Sequence, residues 1–160
     1  MAKVFEDEFV DMQAGIVGAF NEMVEESVDK IYVYCAMETR VQAVHAFFEK
    51  QGKIVTAGQL KIPVSQQMEF MAYAREDMQS LEKVCQKHGK PVPAVMKMIY
   101  DARTGAFEAE YNYEEVISKS KKKGFDDFYG EWKQEVTALV EGTQAGPQKS
   151  KFRFPFFGKK

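Results

Sequence analysis

The sequence is poor in the residues that staple a chain or carry chemistry. Two cysteines, Cys35 and Cys85, exclude a disulfide framework and are expected as reduced thiols. The two histidines, His45 and His88, lie about forty residues apart, and neither a C-x2–4-C nor an H-x3–5-H pair occurs, so no zinc-finger motif is present. G-x-S-x-G, P-loop and Gly-rich phosphate cradles are all missing. Cys35 and His45 fall on neighbouring predicted strands, but a thiol buried among apolar side chains has a raised pKa and is a poor nucleophile. The expectation is therefore a protein that is not an enzyme and binds no metal or cofactor. No apolar run approaches the roughly 20 residues of a membrane span, and the acidic beginning lacks the layout of a signal peptide. A cytoplasmic location is expected.

Acidic residues are also missing from one region. None follows Glu141, whereas the last twelve residues hold Lys149, Lys151, Arg153, Lys159 and Lys160. Of the 22 Lys and Arg, 17 remain in residues 1–148 against all 24 Asp and Glu, a balance of −7. Such a body argues against direct nucleic-acid binding, which needs a basic face. It suits a basic protein partner, whose encounter the field would steer.

What is present fits one domain of ordinary composition, 45% hydrophobic and 29% charged over 160 residues. Ile31–Met37 is an unbroken β-rich run, Val41–Phe48 a second and Lys53–Lys61 a third, split by Glu38-Thr39-Arg40 and Gln51-Gly52: an antiparallel meander. Phe5, Phe9, Met12, Ile16, Phe20 and Met23 recur at helical spacing over residues 4–26, with Gly15 and Gly18 read as points of close approach to the sheet. A second helix is expected over 65–88, with Met71, Met78, Leu81 and Cys85 inward and Met68 and Ala74 beside them. Residues 92–102 and 106–113 form a hairpin around Asp101–Gly105. Its second strand alternates Phe107, Ala109, Tyr111 and Tyr113 against Glu108, Glu110 and Asn112. Glu114–Ser118 reads as a short helical turn, and a third helix runs over 125–141. The fold class is α+β: an antiparallel sheet of about five strands packed against N-terminal, central and C-terminal helices. Residues 1–142 form the domain. Residues 143–160 read as a flexible basic, Phe-rich tail, able to touch a membrane surface or a partner's groove.

Asn21-Glu22-Met23 before Asp29-Lys30-Ile31-Tyr32-Val33-Tyr34, the pair Phe47-Phe48, and Gly105-Ala106-Phe107 leading to Tyr111-Asn112-Tyr113 carry a likeness. With the element order, they make residues 12–118 resemble the YezG-like family of bacterial antitoxin or immunity proteins. The sequence departs from it in lacking a Trp before the hairpin, where Pro91-Val92-Pro93 stands, and in its tail. The resemblance implies an immunity protein that neutralises a cognate secreted toxin domain, a basic protein such as a nuclease, by blocking its active site or its access to substrate. A secretion chaperone or adaptor for an effector is the alternative. The candidate partner-binding residues are Glu108 and Glu110, side by side on the outward face of the last strand, continued by Glu114 and Glu115. The acidic start of the first helix, Glu6, Asp7, Glu8 and Asp11, is the second candidate.

Overall fold

Strand β1, Lys30–Met37, runs through the middle of the molecule. In the computed structural model, which describes residues 4–142, every side chain from Ile31 to Met37 is buried. A strand with no polar position in that run has no face to give to water, so the chain must cover it on both sides. β2 (Gln42–Lys50) and β4 (Val95–Asp101) flank it, β3 (Lys53–Val55) pairs with β2, and β5 (Phe107–Asn112) pairs with β4. All pairs are antiparallel, in the order β3-β2-β1-β4-β5. The protein is α+β.

Alternation then sorts the two cores. Ile31, Val33, Cys35 and Met37 meet α1 (Phe5–Met23) and α2 (Val64–Lys87), which bring Ile16, Phe20, Met78 and Leu81. Tyr32, Tyr34 and Ala36 face the other way, onto α3 (Phe125–Glu141). There Trp132 lies edge-on to Phe47 at 5.2 Å and to Tyr32 at 6.0 Å, the arrangement that ring quadrupoles favour. The turns follow local chemistry. Gln51 and Gly52, both at positive φ, close the β2–β3 hairpin as its two central residues. In the β4–β5 hairpin Asp101 Oδ1 accepts the Arg103 and Thr104 N–H groups, and Gly105 supplies a φ of 82°.

Several expectations are corrected. The third run pairs only over Lys53–Val55, because Thr56 and Gln59 then bond each other's backbone N–H groups and turn the chain. Glu114–Ser118 forms no helix; its backbone turns under the pull of Glu38, described below. Gly15 approaches α2 rather than the sheet, since a Cβ there would meet the Asp77 carboxylate, and Gly18 has open space around it. Met68 stands 67% exposed instead of beside the inner line of α2. Phe107 and Tyr113 are exposed rather than held against the core. Cys35 and His45 do not meet: Cys35 pairs with Val44 and His45 with Tyr34, and the two side chains belong to opposite faces. Residues 143–160, expected as the tail, lie outside the described residues.

Candidate binding edge on strand β5

β5 ends the sheet. It pairs with β4 on one side, and among the described residues no strand pairs with the other. A row of main-chain donors and acceptors therefore faces outward, in the position where another chain can add itself. What flanks that row differs on its two sides.

On the side shared with α3 stand the carboxylates. The register sets Glu108 opposite Ile99 and Glu110 opposite Lys97. Glu108 is exposed. Glu110 leans into a cleft of about 140 Å³ between β4, β5 and the start of α3, and its Oε1 is buried with no hydrogen-bond partner. Among the described residues no salt bridge joins Glu110 to Lys97, its cross-strand neighbour. The Lys97 Nζ lies over the rings of Tyr34 and Trp132, 5.9 and 5.7 Å from their centroids. Glu135 of α3 feels the crowding: burial chiefly, and then the Glu110 charge, push its carboxyl above the usual range, against the pull of Lys97.

The remaining two expected residues part company. Glu114 is exposed, its N–H donating to Asn112 Oδ1 at 3.0 Å. Glu115 bends back and accepts both the N–H and the hydroxyl of Thr39, at 2.9 and 2.7 Å, which holds its carboxyl below the ordinary value. The structure thus brings Glu108 and Glu110 together on one face and ties Glu115 to the β1–β2 turn. In the second candidate cluster Glu8 is likewise engaged, with His88 Nε2 at 2.9 Å and Lys87 Nζ at 3.0 Å, and both keep its carboxyl below the usual range.

On the opposite side of the free edge lies an apolar groove of about 320 Å³ between α1 and the end of the hairpin. Val10, Ala14 and Gly18 form one wall at helical spacing, and Tyr100 and Phe107 form the other. Phe107 is 41% exposed and Val10 is 55% exposed, so the patch is open.

One residue escaped sequence reasoning altogether. Glu38 is fully buried, and its carboxylate accepts the N–H groups of Ile117 and Ser118 at 2.9 and 2.7 Å. It pins the segment after β5 to the end of β1. Its burial carries no sequence signal, because it opens a polar triplet that reads as a turn.

Among the described residues no helix is long and apolar enough to cross a membrane, and no group of three or more His, Cys, Asp or Glu is gathered to hold a metal. The Cys35 thiol is pushed well above its ordinary pKa by burial. Compared with protein-family models and with curated proteins, the sequence matches neither.

Proposed function

We propose that this chain is an immunity protein of the cytoplasm that binds a basic secreted toxin domain, such as a nuclease, and blocks its active site or its access to substrate. The observation that carries the reading is the edge of β5, unpaired among the described residues, with Glu108 and Glu110 on one side and the Phe107 groove on the other. An apolar patch beside a polar, charged one is the usual anatomy of a protein interface. Carboxylates on a paired strand lose less ordering entropy on binding than carboxylates on a loop. The net −7 of residues 1–148 adds a long-range attraction for a basic cleft built to grip phosphates. This role needs stoichiometric binding and no catalytic step.

The test is protection. Where a neighbouring gene encodes a basic toxin domain, cells expressing that domain are expected to survive when the chain is co-expressed and to die without it. Death in both, with no complex recovered, would sink the reading. The apolar groove favours a second one, a secretion chaperone or adaptor, since an effector's apolar segment would lie against Phe107 and Val10. That reading expects no protection, but loss of effector export when the gene is deleted.

A further inference from the structure

We propose that the cleft between β4, β5 and the start of α3 is a receptor for the guanidinium of an arginine side chain. That the arginine is presented by a bound toxin rests on the immunity reading; that the cleft takes a guanidinium does not.

The cleft has a floor of Tyr34, apolar walls of Val116 and Phe128, and Glu110 and Lys97 along its sheet side, with exposed Asn112 at its mouth. Glu110 is half-buried; its Oε1 is closed off and has no donor, and no hydrogen bond reaches its open oxygen, Oε2, either. A partly buried carboxylate without a donor is unfavourable, and a donor brought to Oε2 recovers part of what was lost on burial.

The protein's own cations near the site are already engaged. Lys97 is drawn onto Tyr34 and Trp132, and Lys123 lies over Phe128, 5.5 Å from its centroid, while pairing with Glu131. Three carboxylates, Glu38, Glu131 and Glu110, act on Tyr34 at the floor, and Glu110 acts also on Glu135 of α3. The negative charges of Glu38, Glu131 and Glu110 add to the effect of burial in raising the Tyr34 hydroxyl pKa.

Field and shape together select the ligand. An anion is repelled by Glu110. A metal ion lacks its ligand set, since among the described residues no three His, Cys, Asp or Glu converge. Lysine offers a strongly hydrated point charge that sheds its water reluctantly. Arginine offers a planar, weakly hydrated fork that bonds a carboxylate, with an apolar stem for the Val116 wall and the edge of Phe128.

The experiment is a titration of the 15N-labelled full chain with N-acetyl-arginine amide, followed by backbone amide shifts. The control is N-acetyl-citrulline amide, the neutral isostere. Saturable shifts are expected at Lys97, Glu110, Asn112 and Val116, with a dissociation constant on the order of 1 mM for so small a ligand. Citrulline amide should bind about tenfold more weakly or not at all, as the loss of a charge-assisted pair demands. Glu110→Gln should bring the arginine response down to the citrulline level. No saturable response at these residues, equal responses to the two ligands, or an undiminished response in a folded Glu110→Gln protein would each overturn the proposal. Should Glu110→Gln not fold, the comparison of the two ligands on the unaltered chain still decides. Arginine binding by a chain that fails to protect cells would sink the immunity reading alone. Protection without arginine binding would sink the cleft alone.

Discussion

Single residues in this protein divide into those whose role follows from side-chain type and those that need the neighbours. Gly18 sits inside α1 with nothing near enough to meet an added Cβ. Gly18→Ala is therefore expected to raise stability by roughly 0.5–1 kcal/mol, measured by urea unfolding. The same change at Gly15 should give less, because Asp77 must first swing away. His45 is half-buried, stacked on Tyr129 at 4.6 Å, and its Nδ1 accepts the Ala46 N–H, so that nitrogen carries no proton. Burial pushes its pKa below the ordinary histidine value, with only a partial counter-pull from Asp126. The folded state then resists a proton that the unfolded chain accepts. The stability contributed is complete above the ordinary value near pH 6.5 and is lost as pH falls toward the folded pKa. Unfolding curves at pH 7.5, 6.5 and 5.5 should show this loss in the natural protein and a flatter profile in His45→Phe. Equal slopes would mean that other groups carry the pH dependence.

The elements were legible in the sequence to different depths, and the reasons are physical. Ile31–Met37 has no polar position, which fixes it as a strand covered on both faces, and the structure puts it in the centre. The alternation from Phe107 to Asn112 gives the correct faces of β5, yet it overstates how far Phe107 is buried. Alternation assigns a side of the sheet, and only the reach of α1 decides whether that side is covered at its edge. Glu110 shows the same limit: its lack of a partner depends on Lys97 being drawn to Tyr34 and Trp132, which requires the register of β1, β4 and β5 and the position of α3. Two substitutions test the packing. Trp132→Ala should cost about 3–5 kcal/mol, since it removes the ring on which Tyr32, Tyr34 and Phe47 converge. Glu38→Ala leaves the buried Ile117 N–H unpaired, at roughly 1–3 kcal/mol, and frees the partly buried Ser118 N–H, and should speed hydrogen exchange at Ile117 and Ser118 first. Unchanged exchange there would show that the segment is held by something other than Glu38.

As a whole, the molecule is a sheet whose β5 edge is acidic and unpaired among the described residues, on an acidic body. α1 and α2 cover one face, α3 covers the other over the β1–β2–β3 side, and β5 is left with one main-chain row unpaired among the described residues. The net charge was legible from composition, and the pair Glu108 and Glu110 from alternation. The apolar groove that completes the surface was not, because it forms only where α1 meets the hairpin end. On the proposed function this edge receives a basic toxin, and the association rate of the two proteins, by stopped flow at low and high salt, tests this most directly. Glu108→Lys with Glu110→Gln is the variant to compare, since a lysine at position 110 would crowd Lys97. The folded double variant is expected to associate more slowly, by about tenfold at low salt, with a shallower salt dependence. Equal association rates and equal salt dependence for the variant and the natural protein would contradict that expectation.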